Sequence, residues 1–394
     1  MPAYFHQRRR LRALLTDAWV RPNSLVEKCA VGGFRTLRDR FNSKLADAAV
    51  YHFTPSLGRF ELLAKIQSGI EFWKKIQARN AWFQKEVLQQ LDKSRLLETR
   101  DRSGPPNVFA YSYAARRIFE AARRAGCKTV LGQIDPGPYE EKLVASLHYS
   151  QPELGADWHA VPSSYWRDWK EELALADRII VNSPWSRDAL IESGAPAGKI
   201  FLLPLAFDPR LQQGLPKKSF PRTFTEDRPL NLLFLGSLIL RKGIAEVLEA
   251  ADLLINAPIV LWLVGVPGIR IPAAAASHPR IRLVGAVTRA QVHDHYRAAD
   301  VFILPTHSDG FAITQLEAQA WALPIIASKQ CGEVVEHEQN GLIIPEVTGA
   351  AIRDAIIWML SNPSRLSEMS RKSVERSIQF RPDLVLRGLD TCLE

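Results

Sequence analysis

The stretch VFILPTHSDGFAITQLEAQAWALPIIAS, residues 301–328, reads as strand, loop, helix and strand in that order. VFILPT is a short, nearly continuous apolar run, as expected of a parallel strand buried on both faces. AITQLEAQAWA has helical spacing, and LPIIAS is again strand-like. The loop between them lies at the carboxyl end of a parallel strand, where α/β proteins hold ligands. With a helix beginning near Ala312 or Ile313, the amides of Gly310, Phe311, Ala312 and Ile313 and the helix dipole favour a phosphate there. Asp309 stands at the lip of the loop and Glu317 about one turn into the helix, so the two carboxylates can grip paired hydroxyls of one ligand. Gly310 lets the backbone come close to a ligand or take a positive φ. The plainer alternative makes Asp309 a helix cap and Glu317 a solvated helix residue, and the acid-x7-acid spacing alone does not choose between them.

The same alternation extends in both directions. NLLFLG, GIAEVLEAADLLIN, PIVLWLVGV, IRLVGAV and RAQVHDHYRAAD precede the stretch in order, which implies a parallel sheet with helices on both faces. In the first half RALLTDAW, AAVYHFT, NVFAYSY, CKTVLGQ, DRIIVNS and KIFLLPL are candidate strands. Between them AARRIFEAARRAG ends on Gly126 as a C-cap, and SRDALIESG offers Ser186 as a helix cap and Gly194 as its end. At 394 residues the chain exceeds what one core usually organises. The expected division is an N-terminal α/β domain over 1–208, a Pro-rich and charged linker over 209–230, and a second α/β domain over 231–375. A C-terminal helix over 376–394 is expected to return to the first domain.

Hydrophobic residues make up 46% of the chain and charged residues 24%, a soluble globular balance. The longest apolar run, 259–269, is far short of a membrane span and suits a buried strand. Arg8, Arg9, Arg10 and Arg12 lead into LRALLTDAW with no small-residue cleavage site, so an opening strand is read there and a cytoplasmic location expected. The four cysteines are far apart and read as buried thiols. His293 and His295 are two residues apart on a helical pattern and do not converge, so no metal site is expected. The net charge of +9 fits either an anionic partner or plain solubility, but the basic residues form no nucleic-acid motif. Residues 59–91 set Leu63, Ile66, Ile70, Trp73 and Ile76 at helical spacing beside Phe72, Lys74, Lys75, Arg79, Trp82, Phe83 and Lys85. Such an insertion can lie on an anionic membrane as a peripheral contact, cover an acceptor groove, or simply pack into the core.

Pro305, Gly310-Phe311, Leu316-Glu317-Ala318, Ala320, Pro324 and Ile326-Ala327-Ser328, followed by Asn340-Gly341-Leu342-Ile343, form one consecutive pattern. In it the chain resembles the retaining glycosyltransferases of family 4, also called the group 1 family. Asp309 stands where Glu is usual in that family, and Leu323 where Gly is frequent. The resemblance implies the GT-B fold: two Rossmann-like, doubly wound domains facing a central cleft. It also implies a nucleoside diphosphate sugar, UDP- or GDP-linked, as donor, with no obligatory cofactor or metal. By the same likeness Glu317 takes the ribose hydroxyls, Asp309 the donor hexose, and the amides of 310–313 the sugar and diphosphate.

LLFLGSLILRKGIAEVLEA resembles the family's opening donor-domain strand and loop. There Lys242, with Arg241 beside it, would neutralise the diphosphate, and Ser237 stands where a first Arg is common. Val287 falls in the segment that resembles the nucleobase loop. The likeness covers about 173–346, whereas the first 170 residues match loosely. In that loose part Gly32-Gly33 is either the glycine loop that meets donor phosphate or a plain turn. Asp135 lies nearest to the position of a common family His; it either holds donor or acceptor hydroxyls or starts the Asp135-Pro136-Gly137 turn. His307 is a candidate polar lining residue.

These readings converge on hexosyl transfer to a glycan, lipid or small-molecule acceptor hydroxyl. A sugar-nucleotide epimerase or phosphorylase of the same fold, and an inactive sugar-nucleotide-binding partner protein, are the alternatives.

Overall fold

The computed structural model describes residues 1–22, 24, 40–66, 71–98, 104–155, 158–207 and 218–393. Gly32 and Gly33, Cys29, and the first part of the expected linker lie outside the described residues. The chain divides into two compact units, one of Met1–Gln133 with Val161–Ile180, the other of Ile134–Ala160 with Val181–Cys392.

In the first unit β1 (Leu14–Thr16) pairs in parallel with β2 (Val50–His52), Leu15 opposite Tyr51. Strands β3 (Val108–Tyr111), β4 (Thr129–Gly132) and β5 (Arg178–Val181) are also parallel, with β4 between the other two and buried throughout. The 59–91 stretch contributes to two helices, Thr54–Ile66 and Phe72–Lys93. Leu62 and Leu63 are about 60% exposed on the first, whereas Val87 and Leu91 of the second are buried against Phe53 and Ile118. Arg79 is held by Asp17 at 3.0 Å and Glu61 at 2.9 Å.

The helix Arg116–Arg124 receives no cap from its own N-cap residue. Instead Glu172, on the helix Ser163–Leu175, accepts the backbone N–H groups of Tyr113, Ala115 and Arg116 at 2.6, 2.7 and 3.1 Å. It supplies from a distance what a local cap would supply. Burial pushes the Glu172 carboxyl up to about 7, with the three N–H donors pulling the other way.

The second unit holds β6 (Ile200–Leu202) and six further parallel strands: β7 (Leu230–Leu235), β8 (Ile259–Val264), β9 (Ile281–Gly285), β10 (Val301–Leu304), β11 (Ile325–Ala327) and β12 (Gly341–Ile343). The six form one sheet in the order β12-β11-β10-β7-β8-β9. Side chains alternate between its faces. Leu232, Phe234, Val301 and Ile303 enter one core, whereas Leu233, Phe302 and Leu304 enter the other. That is how an apolar run with no polar alternation is used when helices cover both faces. The chain builds outward from β7 through β8 to β9, then returns to β10 on the other side of β7 and continues to β12. The carboxyl ends of β7 and β10 therefore flank a topological switch point, the place where open α/β sheets bind ligands.

Two local expectations change. Ser183, not Ser186, caps the helix Pro184–Glu192: its hydroxyl accepts the Ser186 N–H at 3.1 Å, because Pro184 already occupies the first helical position. After the helix Pro363–Ser377 the chain proceeds in short helical pieces, the longest Gly388–Leu393. Cys127, Cys331 and Cys392 are buried. Among the described residues no helix is long and apolar enough to cross a membrane.

Candidate active site

Two loops meet at the switch point of the second unit. The first leaves β7 at Gly236, passes Ser237 and forms the tight helical turn Leu240–Lys242, closed by Gly243 at φ +76°. A Cβ on Gly243 would collide with the Pro305 carbonyl oxygen, so only glycine lets this turn lie against the second loop. The second loop, 305–312, follows β10. His307 N–H donates to the Arg241 carbonyl at 2.9 Å, and the Thr306 hydroxyl does so at 3.0 Å. These backbone ties fix Arg241 and Lys242 beside Asp309. The Lys242 Nζ stands 3.8 Å, and the Arg241 guanidinium 3.9 Å, from Asp309 Oδ2. Lys242 is only 17% exposed, and desolvation lowers its pKa against the pull of Asp309.

The helix opened by this loop is Ile313–Ala320, with Ala312 as its N-cap in a left-handed conformation, φ +60°. Asp309 Oδ1 accepts the N–H of Ala312 at 3.1 Å and that of Phe311 at 3.4 Å. Two of the four amides expected to face phosphate are thus turned to a side chain, and Asp309 joins a capping role to its place beside the cations. Gly310 has no positive φ. Its lack of a side chain admits the Ile134 carbonyl and the Asn182 amide, atoms of the protein itself. Phe311 is buried in the core against Phe380, 5.9 Å between ring centroids.

Glu317 is not a freely solvated helix residue. Its Oε2 accepts the Tyr296 hydroxyl at 2.9 Å, from a tyrosine only 1% exposed on the helix Arg289–Ala298. Val287 packs partly buried against that same core, one residue before the Thr288–Gln291 capping box. His307 pairs with Glu246 at 2.9 Å. Asp135 accepts the Gly137 N–H at 2.8 Å, which is the turn contact, one of the two alternatives read for it. Gly33 lies outside the described residues.

Sequence reading missed the member that completes the charge cluster. Glu140, in the first turn of the helix Pro138–Ser150, places Oε2 2.6 Å from the Ser308 hydroxyl, which donates to it, and 3.3 Å from Arg241. The Trp185 indole N–H in turn donates to Ser308 at 3.0 Å, and Ser308 is wholly buried. Burial pushes the Glu140 carboxyl up to about 7, with Asp135 and Asp309 adding to the rise and Arg241 and Ser308 opposing it. No local pattern marks this residue, since PYEE reads as ordinary acids at a helix start.

Residues 229–362, the segment that builds this sheet and both loops, match the family model described as glycosyl transferases group 1. Over that segment the chain is similar to the group 1 glycosyltransferases. The D-inositol 3-phosphate glycosyltransferase of Kineococcus radiotolerans is 28% identical over 245 residues, 54% of this chain and 55% of that protein. The chain thus spans about half the length of the curated relatives it matches. Sucrose-phosphate synthase from Thermosynechococcus elongatus superposes with a TM-score of 0.62 at 20% identity, over 82% of this chain and 80% of that one. Anabaena Alr3699/HepE, solved in complex with UDP-glucose, superposes with a TM-score of 0.57 at 17% identity, over 96% and 98%. The fold of this chain is GT-B.

Proposed function

We propose that the protein transfers a hexosyl group from a nucleoside diphosphate sugar, UDP- or GDP-linked, to an acceptor hydroxyl, with retention and without an obligatory metal. The observation that carries this reading is the Arg241–Lys242 turn locked against Asp309 at the switch point. Two cations there can neutralise a diphosphate as it leaves, which lowers the barrier to breaking the anomeric bond. Asp309 would orient the hexose. Glu317, aligned by Tyr296, would take the ribose hydroxyls. Val287 would border the base.

The C1–O bond to the diphosphate breaks as the acceptor oxygen bonds C1 on the same face, and the departing phosphate oxygen takes the acceptor proton. No protein nucleophile is needed. Asp135, and the glycine loop at Gly33 that the sequence suggests, would add hydroxyl and phosphate contacts. Residues 1–208 would supply most of the acceptor site, for a glycan, lipid or small molecule. Support also comes from relatives named as glycosyltransferases and from the UDP-glucose complex of Alr3699/HepE.

The test is turnover with a panel of nucleotide sugars and acceptors, including donor alone, since an epimerase would act without acceptor. Lys242→Ala and Glu317→Ala should each lower turnover by about a hundredfold or more while the protein stays folded. Full activity in both would sink the assignment.

A further inference from the structure

Arg241 and Lys242 bring two positive charges to the proposed diphosphate site, and Asp309 and Glu140 bring two negative ones. With both carboxylates ionised the quartet is neutral, and Asp135 nearby tips the balance to the acid side. An anionic diphosphate gains little from such a site. One of the carboxylates must give way, and they are differently bound. Asp309 Oδ1 holds two backbone N–H groups of its own loop, a fixed structural commitment. Among the described residues Glu140 is held by the Ser308 hydroxyl and Arg241, and it grips the cation that the donor would need.

We propose that Glu140 couples donor binding to the uptake of one proton: the diphosphate takes Arg241 from the carboxylate, and the carboxylate, stripped of its cation, binds a proton from solvent. The inference rests on the donor reading above. Its proton balance is simple. Glu140 passes from carboxylate to carboxylic acid, Arg241 keeps its charge throughout, and the quartet gains one positive charge with which to hold the ligand. The neutral acid retains the Ser308 hydrogen bond at one oxygen and gains an O–H donor of its own to offer to phosphate.

The groups that face Glu140 all bear on this step. Arg241 and Lys242 on the turn favour its ionised form, and Asp309 on the loop after β10 and Asp135 on its own N-terminal approach favour the acid. From the helix Pro184–Glu192 comes the Trp185 indole, which reaches Glu140 through Ser308. Burial already holds the group where both forms are populated near neutral pH, so a new negative charge beside it is enough to complete protonation.

The test is titration calorimetry of the full chain with UDP-glucose and with GDP-mannose, neither of which titrates between about pH 6 and 8. At pH about 7.5, runs in phosphate and in Tris should differ in apparent enthalpy by at least roughly half a proton's worth of buffer ionisation. The dissociation constant should rise with pH, approaching about tenfold per unit well above pH 7. Glu140→Gln should bind with no buffer dependence and a flat pH profile. If that variant does not fold, the wild-type buffer dependence decides alone. Donor binding with no proton uptake in the wild-type protein, or the same uptake in Glu140→Gln, would overturn this inference and leave the donor reading standing. No binding of either nucleotide sugar from about pH 6 to 8.5 would overturn both.

Discussion

At the scale of single residues, the pair that the sequence makes most visible is unequal in its surroundings. Asp309 is engaged by its own loop, capping Phe311 and Ala312 while facing two cations. Glu317 is supported from behind by one buried hydroxyl. Tyr296→Phe removes that hydroxyl and leaves the ring's packing in place. Its expected effect is a loss of about 1 kcal/mol, roughly fivefold, in nucleotide affinity with little change in thermal stability, read by equilibrium titration beside a melting curve. That Arg241 and Lys242 stand on the loop after β7, and Asp309 and Glu317 on the loop and helix after β10, was legible because motif and local period coincide within each of two short segments. Tyr296 and Glu140 were not. The first reads as one more apolar position of a helix, and the second meets Arg241 across 101 residues of sequence. Side-chain convergence over that distance leaves no trace in local spacing.

At the scale of elements, strands and helices followed from hydrophobic period, since a buried parallel strand can hardly be anything else. Helix starts were harder. Ser186 was a reasonable cap by residue type, yet Pro184 fixes the first turn one step earlier and gives the role to Ser183. The start of Arg116–Arg124 is capped by a glutamate 57 residues away from Ala115, which no sequence rule would find. Glu172→Ala would leave three N–H groups, that of Ala115 buried and those of Tyr113 and Arg116 part-buried, without this acceptor, at about 1 kcal/mol each. The expected loss is about 3 kcal/mol in urea denaturation, against about 1 kcal/mol for Ser183→Ala, a simple cap deletion. A loss for Glu172→Ala no larger than for Ser183→Ala would show that water replaces the carboxylate.

At the scale of the whole molecule, the two raised glutamates set how stability follows pH. Glu140 and Glu172 titrate near 7 when folded, against 4.5 as the ordinary value. The folded chain therefore binds more protons than the unfolded one across that window. Their stabilisation is complete below the unfolded value and is lost as pH rises through about 7. Asp47, Asp177, Glu226 and Glu368 are shifted downward, so their contribution is lost as pH falls. Thermal unfolding should thus peak at roughly pH 5 and decline toward pH 8, by on the order of 3 kcal/mol for each buried glutamate. Glu140→Gln should flatten part of that decline. A melting temperature that climbs steadily from pH 5 to 8 would contradict the assignment.

The second unit takes its residues from two separated stretches of chain, and Leu154 and Leu147 from the earlier one pack into the core of the six-stranded sheet. During synthesis those leucines leave the ribosome well before the strands they will pack on, and they must wait while the last strand of the first unit is still being made. The half that carries the family's sequence signature therefore cannot be excised at a single cut or exchanged with a relative as a cassette. A graft beginning at β7 would leave behind two core leucines and, with them, Glu140.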